Sequence, residues 1–281
     1  MSNQHGGVNL DQQTVRGFGD EWSRFTQTQL SPAVREQIFA DYFSLFDWAA
    51  LPADAVGADI GCGSGRWAQV VAPRVGRLVL IDASSEAIAV AQSNLRGVSN
   101  VSFLTASVGA MPVDDASLDF AYSLGVLHHV PDTAAAIASV AAKLKPGAPF
   151  LIYLYYAFDN RGWPYRALWR ISDGVRRVVS RLPHPLRYLV SQVIAALGYW
   201  PLARAALLLE RVGRLPAAWP LAYYRDKPFY VLRTDALDRF GTRLEQRFTR
   251  EQMRSMLAQA GFEHVRFSDH APYWCAVGIK A

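Results

Sequence analysis

The segment Asp59-Ile60-Gly61-Cys62-Gly63-Ser64-Gly65-Arg66 has the residue types and spacing of a ligand loop. Three glycines at alternate positions let the backbone turn tightly and approach a ligand closely. The spacing is G-x-G-x-G. A dinucleotide fingerprint needs glycine at position 66, which is Arg66, and no P-loop pattern occurs anywhere in the chain. Asp59, ahead of the glycines, repels a pyrophosphate and suits a ligand with a cationic amine. Asp82 follows Gly65 by 17 residues. An acid closing the second strand of a doubly wound sheet accepts hydrogen bonds from ribose hydroxyls.

A second group of residues could act on a bound molecule. His129 suits a general base, or it packs and caps the next helix; His128 is read as structural. Tyr153, Tyr155 and Tyr156 close the fifth strand, where open α/β sheets bind ligands. Alternation puts Tyr153 and Tyr155 on one face and Tyr156 on the other. Tyr153 reads as core, and Tyr155 and Tyr156 as site residues. Arg66 can meet a carboxylate or lie on the surface. No Ser-His-Asp or paired-carboxylate signature appears. With only Cys62 and Cys275, a disulfide framework and a Cys-rich zinc site are excluded, and no metal is expected.

These residues need a scaffold. Residues 11–48 carry apolar side chains at helical spacing, among them Phe18, Trp22 and Phe25, and Ser31-Pro32 suits a helix start. Strands are expected at 56–60, 78–81, 101–104, 118–123 and 150–155, with helices at 64–72, 85–95 and 133–144 between them. The alternation implies a parallel sheet covered on both faces. It stops at Asp159. Two or three Arg-rich amphipathic helices follow to about Arg225, interrupted at Pro183, Pro185, Pro201 and Pro216. A helix at 249–260, capped by Thr249 and stopped by Gly261, and strands at 263–267 and 273–279 close the chain.

Across 56–154, and more loosely 248–279, the sequence resembles the class I S-adenosylmethionine-dependent methyltransferases, especially the small-molecule type 11 branch. The resemblance rests on the Asp59–Gly65 loop, Ile81-Asp82, Met111-Pro112-Val113-Asp114, Leu118-Asp119-Phe120, Leu127-His128-His129-Val130-Pro131-Asp132 and Leu144-Lys145-Pro146-Gly147. Phe18-Gly19-Asp20-Glu21-Trp22 resembles the N-terminal cap of such enzymes. The resemblance implies a Rossmann-like α/β fold with a mostly parallel seven-stranded sheet, an N-terminal helical cap and a helical lid insertion. Its parts would be 1–52, 53–158, 159–247 and 248–281. It implies S-adenosyl-L-methionine as cofactor. Gly61, Gly63 and Gly65 would pack on its methionine part, near Asp59, and Asp82 would hold the ribose. Ala83 would border the adenine, with Ser107 and Val108 nearby. Leu124 would offer a carbonyl to the methionyl amine. In the family an acid often stands where this chain has Ser107, whose hydroxyl can still accept a hydrogen bond. Trp22 and Phe18 would cover the cofactor, or form a seam to the sheet. Tyr155 would enclose the sulfonium by cation–π contact.

Composition divides the chain. It is 51% hydrophobic and 19% charged, enough to bury a full core. Residues 1–156 carry 9 Lys+Arg against 14 Asp+Glu, and residues 157–281 carry 20 against 10. The basic part holds the insertion, where Tyr224 and Arg225 are expected substrate contacts along with Tyr156 at the end of the fifth strand, and an anionic group would meet arginine. The uncharged stretch 188–203 is read as too short and broken to span a membrane. The alternative to a buried or lid helix is one lying on a membrane surface, since Arg187, Arg204, Arg211 and Arg214 flank it. No nucleic-acid module appears, so the expected partner is a small molecule. The N-terminus lacks a leader pattern, so a cytoplasmic location is expected. Methyl transfer to a small or lipid-like acceptor is the function read here. Attack on the cofactor's aminocarboxypropyl chain, releasing methylthioadenosine, and a non-catalytic binding module are the alternatives.

Overall fold

The computed structural model describes residues 9–281; the leader reading at residues 1–7 falls outside the described residues. The chain forms two compact units. One comprises Met1–Ala157 with Leu244–Ala281, the other Phe158–Arg243. The expected core ran to 158 and the insertion from 159 to 247, so Phe158 and Leu244–Arg247 change sides.

In the first unit, seven strands form one sheet: β1 Val56–Ile60, β2 Arg77–Asp82, β3 Val101–Thr105, β4 Phe120–Leu124, β5 Pro149–Tyr153, β6 Phe262–Phe267 and β7 Cys275–Lys280. Their order is β3-β2-β1-β4-β5-β7-β6. The first five are parallel, and β7 enters antiparallel between β5 and β6. β2 and β4 are buried along nearly their whole length, as parallel strands covered on both faces must be.

Helices α1 Gln12–Arg24, α2 Pro32–Tyr42, α3 Ala68–Val71, α4 Ser85–Asn94 and α5 Thr133–Lys143 belong to this unit. Side chains cap their starts: Asp11 for α1, Ser31 for α2, Ser84 for α4 and Asp132 for α5. The helix expected at 64–72 begins later, because Gly65 adopts φ +71°, outside helical space. α1 lies against α4. A Cβ on Gly19 would stand 2.9 Å from Ser84 Oγ, so glycine there permits the approach.

The second unit holds α6 Trp163–Val179, α7 His184–Ile194, α8 Trp200–Arg211 and α9 Phe229–Gly241. A π-helical turn, Ala195–Tyr199, joins α7 to α8. His184–Arg211 is therefore one helix of 28 residues, long and apolar enough to cross a membrane by length and composition, with mean hydropathy 1.4 over its best window. The expected break at Pro201 does not occur: Pro201 lies inside this continuous helix, directly after the π-helical turn, whose altered hydrogen-bond spacing accommodates the missing N–H. Helix α9 was not anticipated. It supplies the unit's centre through Leu232, Ala236 and Phe240, packed with Val179, Ala195, Tyr199 and Ala203. Helix α10, Arg250–Gln259, returns to the first unit behind a Thr249–Gln252 capping box, and Gly261 follows at φ +81°.

Candidate active site

The glycine loop joins β1 to α3. Gly61, Gly63 and Gly65 all have left-handed φ, +77°, +53° and +71°. Gly61 and Gly63 also have no room for a side chain. A Cβ on Gly61 would lie 2.4 Å from Val126, and one on Gly63 would lie 2.7 Å from the Trp22 ring. Trp22 of α1 therefore lies directly on the loop. Arg66 stacks over Trp67, 4.3 Å from the ring centre, and stands 5.9 Å from Trp22.

Asp59 and Tyr122 are register partners on adjacent strands, so their side chains share a face. The Tyr122 hydroxyl donates to Asp59 Oδ2 at 3.0 Å. Phe43 packs edge-on against Tyr122, which closes this face to water. Burial raises the Asp59 carboxyl from 3.8 to about 8. The Tyr122 hydrogen bond pulls it down, the Asp82 charge pushes it up and Arg66 lowers it. Asp82 closes β2. Its Oδ2 accepts from the Gly63 N–H and its Oδ1 from the Ser84 N–H, both at 2.9 Å. Burial raises its pKa while these backbone donors lower it. Ala83 follows at the strand end. Ser107 is buried, and its hydroxyl has no hydrogen-bond partner among the described residues. Val108 opens the short turn Val108–Ala110 beside it.

Beyond β4 and Leu124, the turn Leu127–His129 carries the two histidines. His129 Nδ1 lies 2.7 Å from the Leu244 carbonyl oxygen. A carbonyl only accepts, so Nδ1 carries the proton and Nε2 is the basic nitrogen. Phe18 of α1 packs on this ring, with centroids 5.0 Å apart. His128 is fully buried, which holds its pKa well below the usual imidazole value; the neighbouring His129 and Arg247 lower it further. Neither of its ring nitrogens has a hydrogen-bond partner among the described residues.

Segment 244–248 clamps this turn. Gln246 N donates to the His128 carbonyl at 3.0 Å, and Gln246 Nε2 to the Val130 carbonyl at 2.7 Å. The Arg247 guanidinium lies over Tyr155 at 5.0 Å and pairs with Glu245 at 2.8 Å. Leu244, Gln246 and Arg247 were not singled out from sequence. They act across at least 91 positions of chain, and no local pattern marks them.

Several expected roles change. Tyr155 is engaged already: His128 stacks on it at 3.9 Å and Arg247 covers it, so its ring does not offer a face to a sulfonium. It positions the histidines instead. β5 ends at Tyr153, short of the expected 155, so Tyr155 and Tyr156 lie beyond it and strand alternation does not set where Tyr156 lies. Tyr156 packs on Tyr273 and Trp274, apart from Tyr155. Tyr224 belongs to the second unit, where its hydroxyl donates to Asp235 and burial raises its pKa. Arg225 pairs with Glu210 at 2.8 Å. Both fasten the unit internally, which removes the reason to read them as substrate contacts.

Comparison with known proteins agrees with this geometry. A family model described as "Methyltransferase domain" matches residues 58–152. The ubiquinone biosynthesis O-methyltransferase of Xanthomonas axonopodis pv. citri (strain 306) is 30% identical over 172 residues, covering 60% of this chain and 69% of that protein. The chain belongs to the class I S-adenosylmethionine-dependent methyltransferases. The O-methyltransferase cnsE of Penicillium expansum is 30% identical over 145 residues, covering 50% of this chain and 46% of its own length. The uncharacterized methyltransferase YcgJ of Bacillus subtilis (strain 168) is 34% identical over 104 residues, 36% of this chain and 41% of the relative. The chain thus spans less than half the length of these last two relatives. The structure of human N-acetylserotonin methyltransferase, in complex with S-adenosylmethionine, shares the fold, with TM-score 0.53 and 16% identity over 95% of this chain and 57% of that one.

S-adenosylmethionine is the cofactor of this family, and the residues present fit it. The loop has no room for side chains at Gly61 and Gly63, Asp82 is fixed by two N–H groups with lone pairs to spare, and the buried Ser107 hydroxyl awaits a partner. Asp59, Gly61, Gly63, Gly65, Asp82, Ala83, Ser107, Val108, Leu124 and Trp22 would hold it. Among the described residues no group of His, Cys, Asp and Glu could bind a metal.

Proposed function

We propose that this protein transfers a methyl group to a hydroxyl oxygen of a small-molecule or lipid-like acceptor, with His129 as general base. The observation that carries this reading is the His129–Leu244 hydrogen bond. It fixes the tautomer in which Nε2 can take a proton. Relatives named as O-methyltransferases support an oxygen acceptor.

When bound, S-adenosylmethionine supplies an activated methyl on a sulfonium. The chain's own residues do the rest. Phe18 and Trp22 of the N-terminal cap exclude water beside the loop. Gln246 and Leu244 hold the His129 turn in place, which orients the base. Beside the bound cofactor, His129 Nε2 would accept the proton of the acceptor's hydroxyl, which leaves that oxygen able to take the methyl group. Four arginines of the second unit are already engaged and give an anionic acceptor no support. There Arg225 pairs with Glu210, Arg176 with Asp173, and Arg187 and Arg204 bind backbone carbonyls.

Incubation with S-adenosylmethionine, alone and with pools of hydroxylated aromatic and lipid-soluble compounds, tests the reading by mass spectrometry. S-adenosylhomocysteine is expected, and only when an acceptor is present. Methylthioadenosine released without acceptor would contradict it. The His129→Gln variant should lose about 10²–10⁴-fold in turnover.

A further inference from the structure

We propose that α6 and the His184–Arg211 helix form a docking face for an anionic lipid bilayer. Among the described residues, every exposed large apolar side chain except Val98 lies in the second unit. They are not scattered. Leu168, Ile171, Val175 and Val178 recur at three- and four-residue steps along α6, which is one stripe of a helix. Ile171 is 69% exposed and Val178 65%. Leu186, Leu189, Val193 and Leu197 form the same pattern on the long helix, with Leu197 at 76%. Monomeric soluble proteins rarely leave ordered apolar stripes of this length in water.

The other side of the long helix is committed. Arg187 donates to the Gly241 carbonyl at 2.8 Å, Gln192 accepts from Arg233, and Arg204 donates to the Lys227 carbonyl at 2.8 Å. Of the four arginines thought to flank a surface helix, two are therefore internal ties, and Arg211 and Arg214 remain exposed. A helix crossing a bilayer would have to put its whole circumference into hydrocarbon or against other spanning helices. This one has only its outer stripe to offer, which is the geometry of a helix lying in the interface.

Charge selects the occupant. The second unit carries 15 Lys+Arg against 6 Asp+Glu. On α6, Arg166 and Arg170 are exposed on the flank of the solvent face away from the apolar stripe, with Arg177 exposed there too while it pairs with Asp173 at 2.8 Å. Long arginine stems reach headgroup phosphates while neighbouring apolar side chains enter the acyl boundary. A second copy of the chain would instead bring two strongly basic units together.

The test needs neither cofactor nor acceptor, so its failure is separate from failure of the methyltransferase reading. The full chain is floated with vesicles of phosphatidylcholine, with and without phosphatidylglycerol. The expected result is association at least about tenfold stronger on anionic vesicles, weakened by salt. The pair Ile171→Asp and Leu189→Asp should abolish it with melting unchanged, because both side chains face solvent. Arg166→Glu with Arg170→Glu should remove the anionic preference. Equal association with both vesicle types, no association, or association untouched by these variants would overturn the proposal. So would a solution dimer that Leu189→Asp splits without any vesicle binding, which would assign the face to a second copy.

Discussion

Asp59 gives a prediction whose sign and size follow from its surroundings. Its carboxyl titrates at about 8 in the folded chain against 3.8 for an ordinary aspartate, and burial is the main cause. Between those two values the unfolded chain has released a proton that the folded chain still holds. Folding is therefore progressively disfavoured as pH rises from about 4 to about 8, and the loss levels off above that. Each pH unit corresponds to 1.36 kcal/mol, so from pH 5 to pH 8 the penalty grows by at most about 4 kcal/mol. Asp59→Asn keeps the shape and an acceptor for Tyr122 but has no proton to lose. Its stability advantage over the parent chain should be small at pH 5 and grow steadily to pH 8. For a unit of this size, about 2–4 °C per kcal/mol makes the gain roughly 10 °C in melting temperature. Scanning calorimetry from pH 5 to pH 9 measures it. Tyr122→Phe, which removes the bond that lowers this pKa, should push the end of the slope above pH 8. A difference between Asp59→Asn and the parent that does not change with pH would refute the reasoning.

Four further outcomes follow from the same geometry. A cofactor ammonium favours the Asp59 carboxylate, so affinity should rise with pH up to about 8, by at most about tenfold per unit, with proton release seen by calorimetry in buffers of different ionisation enthalpy. Flat affinity would remove the amine from Asp59. Gly63→Ala should cost roughly 2–3 kcal/mol in chemical denaturation, from the left-handed backbone and the Trp22 clash; adding Trp22→Ala should recover part of it. Ser107→Ala should leave melting unchanged and weaken cofactor binding by about 1 kcal/mol. For His129→Gln, the drop in turnover should come with an unchanged melting temperature; a loss of stability instead would make the residue a packing group.

The sheet and the cofactor loop were legible because their signals are local. Strands alternate with helices, glycines sit where φ must be positive, and Asp82 ends a strand. Asp59 was noticed for its charge, but its protonation was not visible, because Tyr122 reaches it from another strand and Phe43 packs on Tyr122. The clamp by Leu244 and Gln246 was invisible for the same reason. In the second unit, prolines suggested breaks, yet Pro201 lies inside a continuous helix that the π-helical turn before it carries through. Tyr224 and Arg225 looked like substrate groups because sequence shows a side chain but not its partner. Asp235 and Glu210 supply those partners. The apolar stretch of the long helix was seen, but which side of it faces water is set by α9, which sequence patterning did not reveal.

The central claim is that the loop from Asp59 to Arg66, with Asp82 and Trp22, holds S-adenosylmethionine. Titration calorimetry of the cofactor into the parent chain and into Asp82→Ala tests it most directly. The account predicts one site in the parent chain and at least about tenfold weaker binding in the variant, from loss of charge-assisted hydrogen bonds to the ribose. Equal affinity in the two proteins, or no binding to the parent chain, would contradict it.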